Sequence, residues 1–197
     1  EEGDEKENIT TSTPKALTKV GSTAVFRDDD FLGYLTEEES KVHSMITGNT
    51  KESIINLNYE DNYSVFELYN IDSDISPDIK DNKITLNISG KARIKEFHSN
   101  ANITKAKEID KINKILNKHI EDVIKDNFNK IRKEYNTDIF GFRQSFYRED
   151  PDYYNTHYRD NWYESVFSKL NLEVKANIKL YEKGNTLGGI EYESKNN

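Results

Sequence analysis

The stretch from Asn102 to Tyr135 restricts the fold of this chain more than any other. Ile109, Ile112, Leu116, Ile120, Val123, Ile131 and Tyr135 recur at three- and four-residue steps, which lines apolar side chains along one side of a helix. A helix over 104–134 would run to about 45–50 Å, long enough to cross a whole sheet. An apolar stripe of that length needs an equally long apolar surface to lie on. From Lys83 to Lys95, the residues Ile84, Leu86, Ile88, Gly90, Ala92 and Ile94 fall on one face of an alternating run, and Leu172, Val174, Ala176, Ile178 and Leu180 repeat the pattern. Each run reads as a strand dry on one side and wet on the other, which predicts an antiparallel sheet solvated on one face. The fold class is therefore α+β: an antiparallel, partly mixed sheet backed by one long α-helix, with a shorter aromatic-rich helix beside it.

The remaining elements follow from local signals. Ser22–Phe26 and Phe31–Leu35 are apolar or small with little alternation, so these two short strands are expected to be covered on both faces, with Asp28–Asp30 turning one into the other. Thr36 and Glu39 have the spacing of a capping box, in which hydroxyl and carboxylate each satisfy the other residue's N–H; a short helix should start there and end near Gly48. Ile55, Leu57 and Tyr59 alternate, Glu60-Asp61-Asn62 supplies turn chemistry, and 63–71 resumes as a strand, which makes a hairpin. A second helix opens near Pro151, a residue suited to a first helical turn, and carries Tyr154, Tyr158, Trp162, Val166 and Leu170 on one face. Residues 1–17 read as a flexible polar tether, 18–184 as one domain and 185–197 as a polar tail.

Composition removes several function classes. A formal net charge of -8 would repel phosphate backbones, so nucleic acid is not an expected partner. No apolar run approaches the roughly 20 residues needed to cross a bilayer. The absence of Cys rules out thiolate metal sites and disulfides. His43, His98, His119 and His157 lack ligand spacing. Asp72-x-Asp74-x-Ser76 starts like a calcium loop but meets Pro77 where such a loop turns on Gly, and reads instead as a loop capped by Pro. No nucleophile elbow or phosphate-cradling Gly loop occurs, so no catalytic residue, metal or cofactor is expected. The dense aromatic segment 146–167 is read mainly as filling between helix and sheet, with any ring left exposed available to a partner or a stacked ligand.

Two motif blocks bracket the long helix. The first runs Gly21-Ser22-Thr23-Ala24-Val25-Phe26 through Leu32-Gly33-Tyr34-Leu35, and the second is Asp138-Ile139-Phe140-Gly141-Phe142. Between them lies Ile75-Ser76-Pro77-Asp78-Ile79, and after them Arg148, Pro151 and Trp162. In order and spacing, from about Val20 to Gly184, these resemble the C-terminal domain of the Ger(x)C lipoproteins, the C subunits of nutrient germinant receptors of spore-forming bacteria. Gly21, Phe26, Gly33, Asp138, Phe140, Gly141, Phe142, Pro151 and Trp162 are the candidate structural or interaction residues carried by that resemblance. Arg143 stands where the family usually has a second Gly, which implies a differently shaped turn here if that Gly holds a positive φ, and Tyr147 stands where a His is common. Gly33 and Gly141 are expected to admit a close neighbour where a Cβ would clash, and Gly141 to hold a positive φ.

What the resemblance implies is a non-catalytic, extracytoplasmic domain on the outer face of the spore inner membrane, assembling with the integral membrane A and B subunits of the receptor. Its membrane attachment would be a lipid anchor on a Cys upstream of the given chain, together with a signal peptide and earlier domains. The exposed faces of the alternating strands and the end of the long helix are the expected docking surfaces. The alternative is a small-ligand or cell-wall saccharide-binding domain using the aromatic 146–167 segment.

Overall fold

The computed structural model describes residues 22–99 and 101–182; Gly21, the 1–17 tether and the 185–197 tail lie outside them. β1 (Ala24–Arg27) and β2 (Asp30–Tyr34) form a two-stranded antiparallel ribbon, followed by α1 (Glu37–Ile46). β3 (Glu52–Tyr59), β4 (Asn62–Asp78), β5 (Lys83–Phe97) and β6 (Asn171–Glu182) make a four-stranded sheet in that order. α2 (Ala106–Tyr135), α3 (Phe142–Glu149) and α4 (Pro151–His157) fill the connection from β5 to β6.

The 30 residues of α2 form the helix expected from the apolar period, about 45 Å long. Ile112, Leu116, Ile120, Ile124, Phe128 and Ile131 are buried along it, facing a sheet layer made by Ile84, Leu86, Ile88, Ala92 and Ile94 of β5 with Leu172, Val174 and Ile178 of β6. The alternating residues on the other side of β5 and β6 are largely wet. β3–β4 and β4–β5 are antiparallel, whereas β5–β6 is parallel. The mixed sheet follows from the long helical crossover, since only such a connection returns a chain to start a neighbouring strand in the same direction. The capping box forms as expected: the Glu39 N–H donates to Thr36 Oγ1 at 3.3 Å, and the Thr36 N–H to Glu39 Oε2 at 2.8 Å.

β6 is an edge strand, and side chains of α2 occupy its open hydrogen-bonding side. The N–H groups of Ala176, Ile178 and Leu180 donate to Glu121 Oε1 (3.0 Å), Asn117 Oδ1 (2.7 Å) and Asn113 Oδ1 (2.8 Å) respectively, and Asn117 Nδ2 donates back to the Ile178 carbonyl at 2.8 Å. Four residues of helix advance about 6.0 Å and two residues of strand about 6.6 Å, so an i, i+4, i+8 row running antiparallel to the strand meets three successive outward-facing N–H groups.

Two expectations need correction. The segment 72–76 is strand rather than loop; β4 continues to Asp78, and Pro77 fits because β3 pairs β4 only as far as Glu52↔Tyr69, leaving that part of β4 with a free side where no N–H is required. Within β4 the buried positions switch from Phe66 and Leu68 to Ile71 across a bulge at Asn70, whose φ of 52° adds one residue against β5. The aromatic-rich helix expected from Pro151 opens there as α4 but ends at His157, and a separate helix, α3, precedes it; the two meet at Asp150, held extended (φ -147°) ahead of Pro151. After Tyr158 the chain passes through two 3₁₀ turns on either side of a π-turn at Trp162–Val166. The wider π-turn brings positions five apart toward the same side, and Trp162 and Phe167 are both buried, their rings 6.3 Å apart.

Asn117→Ala should lower unfolding stability by about 1–3 kcal/mol, because two groups of Ile178 lose partners in a dry seam; Lys114→Ala, on the wet side of the same helix, should stay within about 0.5 kcal/mol. Urea titrations of both variants check the difference.

Candidate functional site

The two motif blocks meet at the C-terminal end of α2. The helix ends at Asn136 in the left-handed region (φ 43°), its N–H donating to the Arg132 carbonyl at 2.9 Å. Arg27 of β1 donates through Nη2 to the Tyr135 carbonyl at 3.0 Å and also to the Asn136 carbonyl, placing a fixed cation at the negative end of the helix dipole. The same guanidinium lies over the Tyr163 ring, 4.7 Å from its centroid. Gly33 of β2 sits against the Tyr135 ring: a Cβ there would stand 3.0 Å from Cε1, and the Tyr135 hydroxyl donates to the Tyr34 carbonyl at 3.1 Å. Gly33 therefore admits a ring, as its position in the first block suggests.

The second block turns the chain from α2 into α3. Asp138 Oδ1 accepts from the N–H groups of Phe140 (3.1 Å) and Phe142 (3.2 Å), and Oδ2 from Arg143 (2.6 Å), so one carboxylate caps the start of α3. Burial pushes the Asp138 carboxyl above its ordinary range, against the pull of these backbone N–H groups. Gly141 has φ 78°, a conformation costly for other residues. Its Cβ direction is open, with nothing within 4 Å, so the expected close neighbour is absent there and the backbone angle alone selects Gly. Arg143 follows as the first turn of α3 with its side chain outward. His43 of α1 joins the hub, with Nε2 2.9 Å from the Ile139 carbonyl.

Beneath this turn lies an aromatic core. Phe140 stacks on Phe142 at 5.3 Å, Phe128 of α2 contacts both, and Phe146 meets the edge of Trp162 at 5.6 Å. Phe140, Phe142 and Trp162 are buried, and Pro151 lies exposed in the first turn of α4. The aromatic rings of segment 146–167 are thus largely covered: Phe146, Tyr154, Trp162 and Phe167 are buried, Tyr153, Tyr158 and Tyr163 are half-buried, and Tyr147 is exposed. The segment's outer remainder lines an open cleft of about 390 Å³ with Arg143, Tyr147, Tyr154, Asn155, Arg159 and Tyr163.

The ribbon presents a different surface. Val25 and Leu35 are buried, but Phe26 (53% exposed), Phe31 (51%), Leu32 and Tyr34 (62%) face outward. Phe31 packs edge-on against Phe26 at 5.5 Å and against Tyr34 at 5.0 Å. Coverage on both faces was the sequence expectation; one face is covered, because the ribbon stands apart from the main sheet and only its inner side reaches α1 and α2. Sequence reasoning passed over Arg27, placed Tyr135 only in the apolar stripe and His43 only among histidines without ligand spacing, and missed the polar row Asn113, Asn117, Glu121, whose four-residue spacing beside the apolar stripe was the available signal.

These features define an α+β domain with a helix-sealed mixed sheet and a motif hub at the far end of its helix. A family model described as "Spore germination B3/ GerAC like, C-terminal" matches residues 21–184, and the chain belongs to that family, as a germinant receptor C-subunit domain. Among solved structures, the crystal structure of the GerBC protein is similar, with a TM-score of 0.62 at 20% identity over 79% of this chain and 48% of that one; the likeness establishes a shared fold, and the chain spans about half the length of that protein. No curated protein matches the chain. Among the described residues, no helix is long and apolar enough to cross a membrane.

Gly141→Ala should lose about 1 kcal/mol or more from backbone strain alone, since the added methyl meets no atom. Asp138→Asn should cost about 1–3 kcal/mol, because it sets an amide NH₂ against an N–H that now donates to the carboxylate. Equilibrium denaturation at neutral pH measures both.

Proposed function

We propose that this chain is a non-catalytic assembly domain of a nutrient germinant receptor C subunit, held at the outer face of the spore inner membrane by a lipid anchor elsewhere in the protein. Its partners are the integral membrane A and B subunits. The observation that carries the reading is the outward face of the ribbon: Phe26, Phe31, Leu32 and Tyr34 are exposed together on a ribbon whose inner face is fixed to the hub. Aromatic residues grouped on a rigid support are the usual anchors of protein interfaces, and an isolated apolar group of this kind is costly to leave in water.

A second reading rests on the cleft. Arg143 and Arg159 beside the exposed Tyr147 and the half-buried Tyr163 offer guanidinium donors and ring surface to a small anionic or saccharide ligand, with the buried Tyr154 beneath them. Because Phe146, Trp162 and Phe167 are internal, this reading depends on the cleft alone rather than on the whole aromatic segment. Calorimetric titration with nutrient amino acids, sugars and muropeptide fragments separates the two: saturable heats abolished by Arg143→Ala would favour ligand binding.

The assembly reading predicts that Phe31→Ser with Tyr34→Ser leaves the thermal midpoint within about 2 °C of wild type, since both side chains point outward. The same pair should weaken assembly with co-expressed A and B subunits by about 30-fold or more, the scale of a lost aromatic hot spot. Co-purification at wild-type yield with both changes in place would remove the reading.

A further inference from the structure

The two edges of the sheet are treated differently. β6 has its outward N–H groups at Ala176, Ile178 and Leu180 taken by Glu121, Asn117 and Asn113. Among the described residues, β3 has no strand on its outer side. The β3–β4 turn places Glu60 and Asp61 at φ 49° and 61°, the two-residue geometry in which the closing pair, Tyr59 and Asn62, exchanges hydrogen bonds. Hydrogen-bonded and open pairs then alternate along an uninterrupted register from Tyr59↔Asn62 to Glu52↔Tyr69. The N–H and C=O groups of Glu52, Ile54, Asn56 and Asn58 therefore point away from β4.

Apart from Glu52 at its start, this edge carries none of the usual devices against pairing. The segment Glu52–Tyr59 contains no Pro, Lys or Arg, and β3–β4 has no bulge, unlike the other three strand pairs. Ile54 is 49% exposed on the wet face. On the helix face a groove of about 330 Å³ runs along the edge, with Val42 and Met45 of α1, Ile55 of β3 and Val123 of α2 among its lining. Glu37 and Glu38 at the start of α1 form its acidic rim with Glu52 just beyond, against Lys41, which is ion-paired with Glu37 at 2.8 Å.

We infer that the open edge of β3 and the adjoining groove receive an extended segment of a partner protein as a fifth strand, with alternate apolar side chains entering the groove and basic residues flanking them. Outward backbone donors and acceptors specify an extended strand, the groove specifies apolar side chains on one of its faces, and the rim specifies the sign of its flanking charge. A second copy of this chain would carry its own α1 and α2 over the same face, whereas a lone strand brings only side chains to fill the space.

The test is a selection of displayed peptides of about ten residues against the 197-residue chain, followed by titration of each enriched peptide against wild type and two variants. Asn56→Pro deletes one outward N–H and no β4 ladder bond; Ile54→Lys keeps the whole backbone and places a charge on the edge. Enriched peptides should alternate apolar residues beside Lys or Arg, slow amide exchange at Ile54 and Asn56, and lose about tenfold or more in affinity in either variant that keeps the wild-type circular dichroism. An empty selection, peptides bound equally by wild type and Ile54→Lys, or dimerisation through β3 in sedimentation would overturn the inference.

Discussion

Asn113, Asn117 and Glu121 hold the backbone of β6, and the placement of the long helix follows from that seam. Each is preceded by a buried residue, Ile112, Leu116 and Ile120. Successive helical residues point about 100° apart, so the apolar member of each pair lies on the sheet while the polar member reaches over its border. One helix thereby covers the dry face and closes one edge, two tasks that isolated sheets usually assign to separate elements. The seam also fixes direction. Pairing Asn113 with Leu180 and Glu121 with Ala176 requires helix and strand to run oppositely, which carries the C-terminal end of α2 toward the start of β6, where Arg132 donates to the Leu170 carbonyl.

That end of the helix is where the rest of the chain is organised. Arg27 takes its last carbonyls, Tyr135 fills the space above Gly33, and Asp138 restarts the chain as α3. Lys130, one turn earlier, pairs at 2.8 Å with Glu39, the buried carboxylate of the capping box. Burial would raise that carboxyl, yet Lys130 and Thr36 hold it below its usual range. Ribbon, α1 and α3 are therefore attached to one helix terminus by directional bonds, while the sheet contacts the same helix mainly by apolar burial. The motif blocks are far apart in sequence because each supplies a different side of a single helix end.

The sequence revealed what depends on period and composition. The long helix, the alternation of β5 and β6, the β3–β4 turn and the capping box all come from local repeats or pairwise chemistry. The antiparallel reading of the two alternating runs fails for β5 and β6, which pair in parallel, because a half-buried strand alternates in the same way whether its neighbour runs parallel or antiparallel. The bulge at Asn70 was hidden because a phase switch looks, in one dimension, like two short strands. The break after Tyr158 was hidden because Tyr154, Trp162, Val166 and Leu170 keep helical spacing, and only the packing of Phe167 beside Trp162 requires the wider turn. In the site, Gly33, Asp138 and Gly141 could be singled out beforehand, whereas the roles of Tyr135 against Gly33, Arg27 on the last helix carbonyls and His43 on the Ile139 carbonyl could not, because contacts spanning about a hundred residues leave no local pattern.

Charge around the ribbon bears on what its outer face can meet. Asp28, Asp29 and Asp30 flank Phe26 and Phe31 on one side, and Glu37 and Glu38 follow Tyr34 on the other, within a chain of net charge -8. An anionic lipid surface attracts basic segments and repels acidic ones by about 1 kcal/mol per charge close to the headgroups, so an aromatic patch with this border is poorly suited to lie on such a surface. A protein partner with basic residues around an apolar centre matches it better, because rim charges steer encounter while the buried rings supply the affinity. The acids at the start of α1 also border the groove beside β3. The ribbon face and the groove thus share an acidic border, and that border favours protein over membrane as the surface they meet.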